Sequence, residues 1–220
     1  MNLKPVAGTK QTGIRQETLW DWVGNRTFDK QAALRTHTGE FYEEASAALL
    51  DGLRMTTDSR CLCPDIQHQS DDHLFAEVKS IGRNGQGLLY EQRMEKYEAF
   101  AKQGNKVHYL FWFHNAECTV ENCPTLYDLH RVLAAHTLRA LMIPMELVHA
   151  RARQQNRVKL NYRGYKDNPR REIMWGYRLP GGWFRECEHG QAPAMAWDIK
   201  AYNSTIFGLS WIDLAGWPAP

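Results

Sequence analysis

The run from Lys106 to Phe113, KVHYLFWF, constrains the fold more than any other stretch of the chain. So apolar a segment reads as a buried strand, and a buried strand needs other elements to cover it. The neighbouring sequence offers helices for that purpose. Tyr90, Met94, Tyr97 and Ala101 recur at i, i+4, i+7 and i+11, the period of an amphipathic helix that Gly104 can end. Upstream, GEFYEEASAALLDGLR from Gly39 is rich in good helix formers and sets Phe41, Ala45, Ala48 and Leu49 on one stripe. That stretch predicts a helix of about four turns. A third helix is expected from Thr125, where Asp128 completes a capping box, carrying Leu129, Val132, Leu133 and Leu141. Two short strands, Arg60 to Ile66 and His73 to Lys79, fall between the first two helices. The coarse order is helix, two strands, helix, strand, helix, an α/β pattern.

The chain has 220 residues, 43% of them hydrophobic, enough to bury a core in one domain or one domain with an elaboration. Its mean hydropathy is −0.56, and no apolar stretch approaches the roughly 20 residues of a membrane-spanning helix. Met1 to Gly13 is polar and lacks the pattern of a secretory signal, so the expectation is an intracellular, cytoplasmic protein with no membrane partner. Five cysteines, an odd number, do not resemble a secreted disulfide framework, and reduced thiols are expected.

Charge is unevenly spread. From Arg151 to Arg178 nine bases face two acids, so this segment carries +7 and the remainder −5 against a net charge of +2. Tyr162, Tyr165, Trp175 and Tyr177 are interleaved with those bases. Cations that neutralise backbone phosphates, with aromatics able to stack on bases, point to nucleic acid. The expected contacts are Arg157, Lys159, Arg163, Lys166, Arg170 and Arg171, joined by Arg83, Gln92 and Arg93 from the core.

The chemistry-bearing constellation is Pro64-Asp65, eleven residues, then Glu77-Val78-Lys79. Two-residue alternation sets Leu74, Ala76 and Val78 on one strand face and Phe75, Glu77 and Lys79 on the other. An Asp and a Glu at the ends of adjacent strands can converge on one hard divalent cation, which prefers oxygen ligands. Phosphodiester hydrolysis needs that cation to stabilise phosphoryl charge and lower the pKa of an attacking water, with a further positive group nearby. Lys79 would supply the last.

On Pro64, Asp65, Glu77 and Lys79, with GEFYEE before them and an amphipathic helix after, residues 39 to 140 resemble the PD-(D/E)XK nuclease superfamily. The resemblance implies a restriction-endonuclease-like core, a mixed central sheet flanked by helices. It implies Mg²⁺, with Mn²⁺ as a substitute, held by Asp65, Glu77 and a first-helix carboxylate. Glu43, four residues after Gly39, is the metal ligand that pattern favours, with Glu44 the neighbouring candidate for the catalytic set. The expected organisation is an N-terminal arm over 1–38, a nuclease core over 39–145 and a basic, aromatic DNA-binding and packing region over 146–220. The implied activity is DNA endonuclease, a type II restriction enzyme or, alternatively, a structure-selective junction resolvase or repair nuclease. Its partner would be double-stranded or branched DNA. Cutting two strands calls for two sites, hence a homodimer. A reading from another class is a non-catalytic nucleic-acid-binding protein. One feature departs from some branches of the superfamily: Gln92 precedes Tyr97 by five residues, and Arg93 holds the four-residue position.

Cys61, Cys63, Cys118 and Cys123 with His68, His73 and His114 raise a structural Zn²⁺ as an alternative, although such cysteines are more often small buried hydrophobes. The glycine-rich Ser80 to Gly87 reads as a loop, and no Gly-Lys-Ser/Thr follows it to make a phosphate-binding Walker loop.

Overall fold

The computed structural model describes residues 27–50, 52–55, 63–83, 85–160, 174–190 and 194–198. The chain folds as a mixed α/β structure whose principal sheet has six strands in the order β1-β2-β3-β5-β6-β9. These strands are β1 (Gly52–Arg54), β2 (Ile66–His68), β3 (Leu74–Ile81), β5 (Lys106–His114), β6 (Thr137–Pro144) and β9 (Met195–Asp198). Among the described residues only β3 and β5 run parallel, from Leu74↔Lys106 to Ile81↔Phe113; the other neighbours are antiparallel. A second sheet of three antiparallel strands joins β4 (Gly87–Tyr90) to β8 (Met174–Leu179) and β8 to β7 (Val158–Leu160).

The KVHYLFWF segment is the axis of both cores. Its alternation sends Leu110 and Trp112 into a cluster with α1 (Thr27–Leu49) and α3 (Leu126–His136). Tyr109, Phe111 and Phe113 enter the opposite cluster, with α2 (Glu91–Ala101), α4 (Met145–Arg153) and α5 (Gly181–Glu188). All five aromatic and aliphatic residues from Tyr109 to Phe113 are buried. Each large side chain buried in this way contributes roughly 1.5–3 kcal/mol of transfer free energy, so this strand is the strongest organiser of the fold. The one polar atom of Trp112 is satisfied: Nε1 donates to Ser46 Oγ at 2.7 Å on α1.

Several elements depart from expectation. The first helix begins at Thr27 rather than Gly39, and Leu34 and Tyr42 join its buried stripe while Ala48 faces outward. The third helix has the expected cap, with Thr125 Oγ1 accepting from the Asp128 N–H at 3.1 Å, but it ends at His136, and Leu141 lies on β6. The strand expected over Arg60 to Ile66 is shorter and later, beginning at Ile66, and 56–62 lie outside the described residues. The expected loop from Ser80 to Gly87 is trimmed at both ends, because β3 runs through Ile81 and β4 starts at Gly87. Gly104 does close α2, at φ +95°, a conformation that L side chains rarely adopt. Gly176 serves a different need: a Cβ there would lie 2.4 Å from the Leu89 carbonyl, so its absence lets β8 approach β4.

Candidate active site

The register of β2 on β3 pairs Ile66 with Ala76 and Gln67 with Phe75, so one step further along the same ladder sets Asp65 opposite Glu77. Two hydrogen bonds, one to its side chain and one to its carbonyl, hold Asp65 in place. Asp65 Oδ2 accepts from the Val78 N–H at 2.8 Å, and the Asp65 carbonyl accepts from the Met55 N–H at 2.8 Å. Glu77 in turn pairs with Tyr109 of β5. The expected alternation of β3 holds, with Ala76 and Val78 in the α1-side cluster and Glu77 and Lys79 on the face that α2 covers.

Glu77 is fully buried, and both of its carboxylate oxygens accept hydrogen bonds from side chains. Lys79 Nζ and Arg93 Nη1 both donate to Oε1, the second at 3.0 Å, and the Tyr97 hydroxyl donates to Oε2. Lys79 Nζ also donates to the Val78 carbonyl at 3.2 Å. Arg93 and Tyr97 stand four apart on α2, one helical turn, so a single helix face delivers both to the same carboxylate. The strands thus supply an acidic pair and a lysine, and the helix closes them from above.

The two carboxyls lie in opposite electrostatic states. Burial alone would raise Glu77, but Lys79 and Arg93 outweigh it and hold the group below its ordinary value, so it is ionised. Asp65 is pushed up from 3.8 to about 7, first by burial and then by the negative charge of Glu77, against a smaller opposing pull from Lys79. Tyr97 is raised well above the phenol range by burial and by Glu77, which keeps it a donor. A carboxylate pair pushed apart in this way is typical of sites that handle protons or cations.

The other expected residues divide. Glu43, on α1, acts electrostatically on Asp65, but its carboxylate is engaged by Arg54 of β1, with Nε to Oε2 at 2.9 Å. The same arginine reaches Glu44 Oε1 at 3.4 Å, and Glu44 is mostly exposed. Arg93, expected on DNA, is on Glu77. Gln92 is exposed beside it. Arg83 pairs with Glu117 in the solvent-facing loops beyond β3 and β5. Arg157 pairs with Glu91 and lies 4.4 Å over the Trp175 ring, while Lys159 of β7 is exposed. Arg163, Lys166, Arg170 and Arg171 lie outside the described residues.

Among the described residues no group of three or more His, Cys, Asp or Glu side chains is arranged to hold a metal ion, so Asp65 and Glu77 stand as a pair. Cys118 and Cys123 are free thiols bonded to each other by a hydrogen bond, and burial pushes the Cys118 thiol up to about 12. Cys63 is disulfide-bonded, against the expectation of reduced thiols, and Cys61 lies outside the described residues. No described helix is long and apolar enough to cross a membrane.

Sequence reasoning missed three parts of this neighbourhood. Tyr97 reads as a core residue from its period, and nothing in the period tells that its hydroxyl ends on Glu77. Arg54, expected at the end of the first helix, lies instead on β1, because α1 stops at Leu49 and Gly52–Arg54 pairs with β2. Beneath the site, Tyr109 and His149 Nε2 are 2.9 Å apart, and His149 Nδ1 is 2.7 Å from Glu98 Oε1, which also accepts from Arg153 at 2.5 Å. Burial lowers the His149 pKa despite Glu98, so the ring is neutral; with Nδ1–H on Glu98, Nε2 is left to accept from the Tyr109 hydroxyl. This chain of hydrogen bonds ties α2 and α4 to β5, whose Tyr109 ends the cross-strand row Asp65–Glu77–Tyr109. Comparison with protein-family models, curated proteins and solved structures returns no match.

Proposed function

We propose that the chain is a Mg²⁺-dependent DNA endonuclease with a PD-(D/E)XK site on a restriction-endonuclease-like core. One observation carries the reading: Asp65 and Glu77 are cross-strand neighbours, and Lys79 stands two residues on from Glu77 on the same face with its ammonium on the Glu77 carboxylate. Chance spacing in sequence would not by itself bring these three together.

The donor set fits a hard divalent cation. Such ions take carboxylate oxygens, and Asp65 has no ion pair among the described residues, one oxygen on the Val78 N–H, and a pKa raised by burial and by the negative charge of Glu77, which a bound cation would offset. Asp65 and Glu77 would hold the ion, with Glu43 able to join once Arg54 releases it. When bound, Mg²⁺ or Mn²⁺ supplies charge stabilisation at the phosphoryl oxygens and lowers the pKa of the attacking water. Glu77 can serve only by giving up a cation now on Oε1, and Arg93, whose side chain is 51% exposed, has room to leave. Lys79 remains, and its ammonium orients the water or offsets charge developing on the phosphate. Tyr97 keeps donating to Oε2 and so fixes the rotamer of Glu77. Duplex or branched DNA is the substrate class, bound through the basic C-terminal segment, and a homodimer would place two such sites on two strands.

A second reading has its own observation. Both oxygens of Glu77 are already filled by Lys79, Arg93 and Tyr97, which also suits a structural ion-pair cluster in a non-catalytic nucleic-acid-binding protein. Incubation with plasmid, linear duplex, single strand and four-way junction, in Mg²⁺ and in EDTA, separates the two. Metal-dependent cleavage of any of the four supports the endonuclease and identifies its substrate; binding with no cleavage of any of them favours the second reading.

A further inference from the structure

Beyond the carboxyl ends of the parallel strands β3 and β5, just past Lys79, lies a cavity of about 820 Å³ that the proposed cleavage does not use. Its volume falls in the range of small-molecule sites. The floor is apolar, made by the buried Ile81 and Phe113. The walls carry three arginines, Arg83, Arg139 and Arg185, against one acid, Glu188. Arg139 is committed: it donates to Glu188 at 2.5 Å and lies 4.5 Å over the Phe113 ring. Arg83 turns outward to Glu117. Arg185, exposed on the last turn of α5, makes no ion pair among the described residues. Asn115, also in the wall, adds an amide that can both donate and accept.

An apolar floor under a stacked guanidinium, an amide at the side and an uncommitted arginine at the rim together suit one kind of ligand. It has a flat heterocycle with polar edges and an attached anion. A lone phosphate would leave the floor empty, and a lone apolar molecule would leave the surplus positive charge uncompensated. We propose that this cavity binds a nucleotide, its phosphate on Arg185 and its base stacked on the Arg139 guanidinium that covers Phe113, beside Asn115. Guanidinium meets phosphate oxygens bidentately, and base edges are read by side-chain amides. The same chemistry is offered by a free nucleotide and by a nucleotide unit drawn out of a strand.

Calorimetry on the full chain in EDTA tests this without any cleavage, so it stands or falls apart from the endonuclease reading. The probes are a deoxynucleoside monophosphate, the matching nucleoside, inorganic phosphate and a short single strand. The monophosphate or the strand is expected to bind below roughly 1 mM, with nucleoside and phosphate each weaker by about tenfold or more. Arg185→Gln is expected to weaken that binding about tenfold, and Arg185→Lys to restore part of it, because the charge returns without the fork. Ala196→Glu, which adds a carboxylate to the wall from β9, gives the same loss without altering α5 and guards against a folding defect in the first variant. A monophosphate that outbinds the strand identifies a free nucleotide; a strand that outbinds the monophosphate, with the same loss in both variants, identifies a unit of nucleic acid. The proposal is overturned if none of the probes binds, if inorganic phosphate binds as tightly as the nucleotide, or if both variants bind like wild type.

Discussion

Asp65→Asn isolates the electrostatic strain of the site, because the amide keeps the acceptor for the Val78 N–H and removes only the ionisable proton. In the folded protein Asp65 is raised from 3.8 to about 7, by burial first and by Glu77 second, with Lys79 pulling against them and Glu43 adding a little. Between those two values the unfolded chain has released the proton and the folded protein still holds it. Stability from this group is therefore complete below about pH 4, falls as pH rises towards 7 and levels off above that. At 1.36 kcal/mol per unit the loss amounts to about 4 kcal/mol, and with only 6% of the residue exposed, solvent does little to screen it. For a domain of this size that corresponds to a melting-temperature difference on the order of 10 °C. Thermal melts in EDTA from pH 4 to pH 8 are expected to show wild type losing ground to Asp65→Asn as pH rises, the two being closest at pH 4. Saturating Mg²⁺ at pH 8 is expected to raise wild type and leave the variant where it was. Parallel stability curves across the range, or an equal response to Mg²⁺, would refute the assignment of a strained, cation-accepting carboxyl to Asp65.

Arg93→Ala removes one of the two cations competing for Glu77 Oε1, so Mg²⁺ affinity measured by calorimetry should tighten several-fold; weaker binding would show that the arginine supports the ion rather than excluding it. Leu110→Ala empties a fully buried position in the core under α1 and α3 and should lower unfolding free energy by about 2–5 kcal/mol in urea titrations, with a loss under about 1 kcal/mol contradicting its central place. Neutralising Arg170 and Arg171 together should flatten the salt dependence of duplex binding, each lost phosphate contact lowering the log–log slope by about 0.9, as read by fluorescence anisotropy. An unchanged slope in a variant that melts like wild type would remove both from the DNA footprint.

The parts of the fold legible in sequence are those governed by local pattern. Helix α2, strand β5 and the Thr125 cap follow from periodicity and capping chemistry alone, and the alternation of β3 places Glu77 and Lys79 on one face. Strand β6 stayed hidden because α3 passes into it at Thr137 with no glycine or proline between, and Leu141 continues the helical spacing from Leu133. The pairing of β4 with β8 joins segments some 90 residues apart, from Gly87↔Leu179 to Tyr90↔Gly176, and no local signal carries it. The same limit applies to the site. Asp65, Glu77 and Lys79 could be found from strand spacing, but the capture of Glu43 by Arg54 and of Glu77 by Arg93 and Tyr97 are contacts between elements, fixed by tertiary packing.

If Asp65, Glu77 and Lys79 hydrolyse DNA with a divalent ion as proposed, cleavage of supercoiled plasmid by wild type and Lys79→Ala purified in parallel will show it. Wild type is expected to nick or linearise the plasmid in Mg²⁺ and to be silent in EDTA. Lys79→Ala should bind the same DNA with near-equal affinity and lose turnover by well over tenfold, more than about 1.4 kcal/mol of transition-state stabilisation. Turnover of the variant within tenfold of wild type, or wild-type cleavage that persists in EDTA, would contradict the claim.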